Sequence, residues 1–150
     1  MIQRIQTVFL LLAVATLGLQ FLFPYASAPS TAVTDEAGTF SDGVFNLHDR
    51  LNFLVNTIAA LILALAAVFL FKNRPLQSKI TSIGIFVATI LAISLAVQSY
   101  MLIQDAGPAM TNIHYQPGIA MPALSVLLLW IANRFIRKDE ALVRSSDRLR

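Results

Sequence analysis

Four apolar stretches, each about the 20 residues that a helix needs to cross a bilayer, constrain this chain more than any other feature. They cover residues 5–23, 51–71, 80–103 and 117–136. Each is bounded by charge, proline or a polar loop. Inside a bilayer every backbone polar group must be bonded internally, so a spanning segment of this kind is helical. The sequence therefore predicts an all-α membrane protein, a bundle of four antiparallel transmembrane helices.

The composition argues against a water-soluble chain of the same size. Apolar residues make up 57% of the 150 positions and charged residues 13%, against roughly 45–50% and 25% in soluble domains. A soluble chain this short has too much surface to hide so much apolar material. There is no cysteine, which excludes disulfide bonds, thiolate catalysis and cysteine-bound metal. We expect the whole chain to be one integral membrane domain in contact with the lipid bilayer.

Lysine and arginine are distributed unevenly over the connections between these stretches. Four spans put both termini on one side, and ten of the eleven basic residues fall on that side or on the second connection, Arg50 being the exception. Cytoplasmic connections carry the excess of Lys and Arg. We therefore expect cytoplasmic termini, a cytoplasmic turn at 72–79 and tail at 137–150, and outer loops at 24–47 and 104–116. The net charge of +3 is then a topology signal, and no nucleic-acid partner is expected.

The first outer loop has the composition of a small β-hairpin. Turn signals at Ala37-Gly38 and Asp42-Gly43 separate short β-prone runs. An isolated hairpin is marginal in water, so we expect this one to lie on the ends of the helices, on the periplasmic side.

Small residues recur at every fourth position of the second and third predicted helices. The stripe on the second helix is Asn52, Asn56, Ala60 and Ala64, and the stripe on the third is Gly84, Ala88, Ala92 and Ala96. Residues four apart share a helix face, and small residues let membrane helices approach closely. We expect both stripes to line helix–helix contacts; the alternative is that alanine is simply frequent here.

Polar residues gather near the outer ends of the same two helices. Asn52 and Asn56 belong to the second helix, and Ser94, Gln98 and Tyr100 to the third. Antiparallel packing would bring them to similar depth, and polar side chains within a span usually face the bundle interior. Two interpretations stay open: a structural hydrogen-bond cluster that fixes the register of the helices, or a polar-lined pocket that opens outward.

The sequence contains no catalytic or metal-binding motif. No nucleophile–base pair, glycine-rich phosphate loop or metal-ligand spacing occurs. His48 and His114 fall on the outer side near Asp49 and Asp105, but they come from different loops without the spacing of zinc ligands. No span carries a buried acid or base of the kind that pumps and ion-coupled transporters use, since Arg134 lies in the last turn of the fourth span. We expect no enzyme, no cofactor and no metal site, with an enzyme built on the two histidines as the weakest alternative.

The final segment, RKDEALVRSSDRLR, is strongly charged and contains neither glycine nor proline. It can therefore continue the fourth helix beyond the bilayer. One interpretation is a solvated helical end that fixes topology and meets anionic lipid headgroups. The other is a docking segment for a cytoplasmic partner protein.

The two ends of the chain carry its most specific motifs. The opening MIQRIQTVFLLL and the ending KDEALVRSSDRLR resemble a family of small bacterial inner-membrane proteins with four helices, domain of unknown function 4293. The resemblance covers the whole length and implies an integral inner-membrane protein, but no activity, cofactor or catalytic residue. It directs attention to five residues that match the motifs and could dock a partner: Gln3, Arg4, Arg144, Asp147 and Arg148.

The sequence supports two functions of different classes. The leading expectation is a non-enzymatic structural or accessory membrane subunit that docks partners through its cytoplasmic termini, where the two motifs are expected to meet. The alternative is a binding module for a lipophilic ligand, a quinone or a lipid, held between the helices at the level of Asn52, Asn56 and Gln98.

Overall fold

The computed structural model describes residues 2–27, 43–106 and 114–147, without the side chains of residues 2–4, 102–106, 144, 146 and 147. The described part is mostly helical, as predicted. It holds four α-helices, namely α1 (Ile2–Leu19), α2 (Leu51–Phe69), α3 (Arg74–Ala106) and α4 (Met121–Asp147). Short 3-10 turns, Leu47–Asp49 and Pro117–Ala120, precede α2 and α4.

The four helices form a ring in chain order. Each packs against the next, and α4 closes the ring against α1. Neighbours run antiparallel: the rings of Phe9 and Phe135 stack at 5.8 Å, and Ser78 is bonded to Asn133. The start of α1, the α2–α3 turn and the last turns of α4 therefore share one end of the bundle, called here the terminal end. The opposite end is called the sheet end.

Three helices are long and apolar enough to cross a membrane. Among the described residues these segments are Leu51–Phe69, Arg74–Met101 and Pro117–Val143. In α1 the helix ends at Leu19, and residues 20–23 of the predicted span continue as turns and a bend. Among the described side chains its apolar segment is Ile5–Leu19. Large apolar side chains cover the outer surface of the ring, as lipid contact requires: Val8, Leu11, Ile62, Phe86 and Leu127.

The third helix begins earlier than the sequence indicated. It starts at Arg74 and takes up most of the turn predicted at 72–79. Asn73 caps it, its side-chain oxygen accepting a bond from the Leu76 N–H at 3.3 Å, and Pro75 is well suited to the first turn. The Gln77 amide then donates to the Ala67 carbonyl at 2.8 Å and ties the turn together. At the other end of the chain, α4 runs to Asp147 without a break.

Buried positions in all four helices follow one spacing, alternating steps of three and four residues. This is the heptad spacing of antiparallel bundles with left-handed supercoiling. The seam positions are Gln6, Leu10, Ala13, Leu17 and Gln20; Phe53, Thr57, Ala60, Ala64 and Ala67; Gln77, Thr81, Gly84, Ala88, Leu91 and Leu95; and Pro122, Ser125, Leu129, Ala132 and Ile136.

The predicted small-residue stripes match this seam only over one turn or two. Ala60, Ala64, Gly84 and Ala88 are buried, whereas Ala96 is exposed. A stripe of residues four apart rotates about 40° at each step around a helix of 3.6 residues per turn. It therefore leaves the contact face that a seam of three-and-four steps follows.

A miniature antiparallel sheet caps the sheet end. Its central strand β1 (Ala26–Ser27) pairs with β2 (Val44–Phe45) on one side and with β3 (His114–Tyr115) on the other. The turn signals of the predicted hairpin, at 37–38 and 42, lie outside the described residues. The two strands of the first outer loop do pair, but the third strand comes from the second outer loop and was not predicted.

Three aromatic rings fix the sheet onto the helices. The ring of Tyr25 meets those of Phe45 and Phe53 edge-on, at 5.4 and 6.2 Å, and the cluster packs on Leu91 and Leu95 of α3. The Tyr25 hydroxyl donates to the side-chain oxygen of Gln20 at 3.1 Å. Burial raises the pKa of the Tyr25 phenol, so the group stays neutral and able to donate.

Candidate functional site at the terminal end

Buried polar side chains concentrate at the terminal end of the bundle. Gln6, Gln77 and Thr81 are fully buried, and Ser78 and Asn133 are nearly so. Both amide atoms of Gln6 and the side-chain oxygen of Gln77 have no hydrogen-bond partner within the described part of the chain. Because unbonded buried polar atoms are costly, a purely structural core would not favour them. Gln20 Nε2 and Thr57 Oγ1, nearer the sheet end, are unbonded too, so the terminal end has most of these atoms but not all of them.

A hydrogen-bond network joins α3 to α4 at this level. The Ser78 hydroxyl donates to the side-chain oxygen of Asn133 at 3.0 Å, and the Asn133 amide donates to the Ser82 hydroxyl, also at 3.0 Å. The guanidinium of Arg137 donates to the hydroxyls of Ser78 and Ser82 at 3.4 and 3.3 Å. The oxygen and the nitrogen of the Asn133 amide thus both form hydrogen bonds to α3. They fix the two serine hydroxyls that Arg137 contacts.

An ion pair lies one turn closer to the terminal end. The Arg74 side chain, at the start of α3, contacts the carboxylate of Asp139 on α4 at 3.0 Å. Both side chains are partly buried. The pair fixes the register of α3 against α4 and neutralises Asp139.

An open pocket of about 430 Å³ lies beside this network, between α3 and α4. The guanidinium of Arg134 lies over the Trp130 ring, 5.9 Å from its centroid, and Arg137 forms another wall. No carboxylate belongs to its described lining. We call it the arginine pocket, and its lining is Ser82, Ile85, Trp130, Asn133, Arg134 and Arg137.

A second open pocket, of about 370 Å³, lies between α3 and the start of α4 near the sheet end. Ser99 and Tyr100 contribute its polar groups, and the rest of its wall is apolar. We call it the apolar pocket. Its lining is Ala92, Leu95, Ala96, Ser99, Tyr100, Ile119, Pro122 and Ala123.

The predicted outer polar residues have separate surroundings. The Asn56 amide and the Ser94 hydroxyl each donate to a backbone carbonyl of their own helix, at 2.8 and 2.9 Å. Asn52 and Tyr100 are exposed, and Gln98 is half-buried. Tyr100 lines the apolar pocket, and the other four do not. A polar cluster that joins the two helices stays a prediction.

The two histidines lie on the surface of the sheet end. His48 is exposed beside Phe21, its ring edge-on at 6.0 Å, and His114 is exposed on β3. Over the described ranges, no group of three or more His, Asp or Glu side chains is close enough to hold a metal ion. The side chain of Asp105 lies outside them.

The motif residues at the two ends of the chain share one end of the bundle. Gln3 and Arg4 lie in the first turn of α1, and Arg144 and Asp147 in the last turns of α4; their side chains, and all of Arg148, lie outside the described residues. Measured from the Phe9–Phe135 contact, α4 extends about 7 Å further than α1, at 1.5 Å per residue. The last turn of α4 therefore projects beyond its neighbour.

Comparison with known proteins gives one match. No curated protein and no solved structure shows significant similarity to the chain. A family model described as "Domain of unknown function (DUF4293)" matches residues 2–149, nearly the whole sequence. The family suggested by the terminal motifs is thereby confirmed, and the chain belongs to the DUF4293 family.

Proposed function

We propose that the protein crosses the inner membrane of a bacterium four times, with α1 as the fourth span. The arrangement of the ring supports this, because α1 packs between α2 and α4. Its exposed side chains Val8, Leu11 and Leu12 continue the apolar surface of the other helices. Outside the bilayer those side chains would face water.

Both termini are proposed to be cytoplasmic. The described basic side chains at the terminal end are Lys72, Arg74, Lys79, Arg134, Arg137 and Lys138, whereas Arg50 lies at the sheet end. Connections rich in Lys and Arg stay in the cytoplasm. The small sheet would then face the periplasm.

Cysteine labelling tests this topology without background, since the chain has no cysteine of its own. Lys72→Cys places a thiol at the exposed α2–α3 turn, and His114→Cys places one on the exposed strand β3. A maleimide that cannot cross membranes should label His114→Cys in intact spheroplasts, and Lys72→Cys only after permeabilisation. Labelling of Lys72→Cys from outside would reverse the orientation. Labelling of both from outside would place the two residues on one side, and it would contradict the single span, α3, that separates them.

Within the membrane we propose a non-enzymatic, accessory role, in which the terminal end docks a partner protein. The observation that carries this proposal is the projecting end of α4. It bears the family's C-terminal motif beside the first turn of α1, which bears the N-terminal one. Leu142 is half exposed there, next to charged residues. An exposed apolar residue with surrounding charges is typical of a small docking surface.

Crosslinking from native membranes should identify this partner. A chain that ends at Val143 loses the second half of the motif, RSSDRLR, but keeps the Arg74–Asp139 ion pair, so its bundle should be intact. We expect the full chain to yield a crosslinked protein that the shortened chain does not. Lys72→Gln, which removes a basic residue from the same end outside the motif, should retain it. Equal capture by the full and shortened chains would reject docking through the tail.

A lipophilic ligand is the second candidate function. The apolar pocket near Tyr100 favours it, because a largely apolar cleft with a few polar groups is the usual form of a small-molecule site. A quinone or a lipid would suit this chemistry. Its recovery in stoichiometric amount from the purified chain would favour this function over docking.

A further inference from the structure

We propose that the arginine pocket binds the phosphate group of an anionic membrane phospholipid. This inference rests on the proposed membrane placement and is independent of any protein partner. It assigns a specific lipid site to the cleft between α3 and α4, in place of a general attraction of basic residues to the membrane surface.

The described lining of the pocket carries positive charge only. Arg134 and Arg137 both line it, and none of its lining residues is acidic. The nearby carboxylate of Asp139 is held by Arg74 at 3.0 Å. Among the side chains that the structure describes, neither lining arginine forms an ion pair. An anion entering the cleft would therefore meet two positive charges.

Arg137 retains donors for such an anion. A guanidinium carries five N–H donors, and the described bonds to Ser78 and Ser82 use two of them. At 3.4 and 3.3 Å these bonds are longer than the roughly 2.7–2.9 Å of a charge-assisted bond. Phosphate oxygens match the planar fork of arginine, so they would be stronger acceptors than the serine hydroxyls.

The pocket is held in shape before any ligand arrives. Asn133 bridges Ser78 and Ser82, and those hydroxyls contact one side of Arg137. The Arg134 guanidinium carbon lies over the Trp130 ring, 5.9 Å from the ring centroid. Side chains that are already fixed lose less freedom on binding, which favours affinity.

The surroundings of the pocket indicate a lipid and not a soluble phosphate. Trp130 is 55% exposed on the outer surface of the bundle, and tryptophan prefers the headgroup level of a membrane. Leu127 and Phe86 are exposed nearby and nearer the middle of the bundle. A phosphate held by the two arginines would leave its acyl chains along this apolar surface. Basic pockets between helices on the cytoplasmic side are suited to anionic headgroups.

Fluorescence of Trp130 provides a direct test, because it is the only tryptophan in the chain and it lines the pocket. The full chain is reconstituted in phosphatidylcholine vesicles that contain a small fraction of lipid with brominated acyl chains, which quench tryptophan. We expect brominated phosphatidylglycerol to bind the site about ten-fold better than brominated phosphatidylcholine.

Two variants test whether the preference for phosphatidylglycerol over phosphatidylcholine depends on the arginine pocket. Arg137→Gln should remove most of it, whereas Lys138→Gln, with the same loss of charge at the next residue of α4, should keep it. Arg134 forms no described bond across the helices, so Arg134→Gln tests the same pocket if Arg137→Gln does not fold.

Three results would overturn the proposal: equal quenching by the two lipids, equal losses in Arg137→Gln and Lys138→Gln, or removal of the preference by inorganic phosphate at buffer concentrations. The last would identify a site for soluble phosphate. Cysteine labelling at residues 72 and 114 reports the membrane placement separately. Equal quenching in a correctly inserted chain therefore rejects the lipid site alone.

Discussion

Replacing Gly118 with alanine should lower the free energy of unfolding by about 3 kcal/mol, at the upper end of the usual cost of overpacking. The added Cβ would lie 2.6 Å from the carbonyl oxygen of Phe23, and closer still to that of Pro24. Both are backbone atoms, so neither can rotate away. The segment that follows α1 would have to separate from the 3-10 turn that precedes α4, at the point where the Gln116 N–H donates to the Tyr25 carbonyl at 3.0 Å.

Titration with sodium dodecyl sulfate in mixed micelles, followed by helical circular dichroism, measures this change. Gly18→Ala is the matched control, because a Cβ at that position meets no atom within 4 Å. Gly18 lies in the last turn of α1, where alanine favours the helix by up to about 1 kcal/mol. If Gly118→Ala lowered the free energy of unfolding no more than Gly18→Ala did, the added Cβ at residue 118 would cause no crowding.

Replacing Ala88 with leucine should cost about 2–3 kcal/mol. Ala88 is fully buried in the middle of the bundle, in one core with Ala64 and Leu129. The helices are close there, since a Cβ on neighbouring Gly84 would lie 3.5 Å from the Cβ of Leu63. Three additional carbon atoms at the seam must move α3 away from its neighbours.

Ala96→Leu is the control for crowding. Ala96 belongs to the same four-residue stripe of α3, but it is exposed and lines the apolar pocket. The same substitution should therefore change the free energy of unfolding by less than about 0.5 kcal/mol, as is usual for surface positions. If both variants lost a similar free energy of unfolding, the cause would be leucine at any position of α3 and not crowding at Ala88.

The helices could be predicted because long apolar stretches identify them. Which face of each helix is buried could not be predicted, because the residues are apolar on every side of the helix. An exposed Phe86 and a buried Leu91 are equally apolar. In a soluble bundle the contrast between apolar and polar faces would reveal the seam. Here the small residues were the remaining guide, and they marked the seam correctly from Ala60 to Ala64 and from Gly84 to Ala88.

The arginine pocket could not be predicted for a different reason. Ser78, Asn133 and Arg137 lie near the ends of the predicted spans, where a polar residue can be solvated and needs no partner. Their hydrogen bonds depend on the register of α3 against α4, and these two helices are far apart in the sequence. Buried Gln6 and Gln77 at seam positions were a usable signal that the sequence reading missed. The polar cluster that the sequence predicts lies at the opposite end of the bundle, on α2 and α3.

The order of the three short strands means that the sheet forms in two stages. β1 can pair with β2 once the first outer loop is in place, but its other edge waits for β3, which comes after the whole of α3. An exposed strand edge readily pairs with other chains. Until β3 arrives, just before α4 in the chain, the second edge of β1 has no partner strand. Completion of the sheet therefore requires the loop between α1 and α2 and the loop between α3 and α4 to lie side by side.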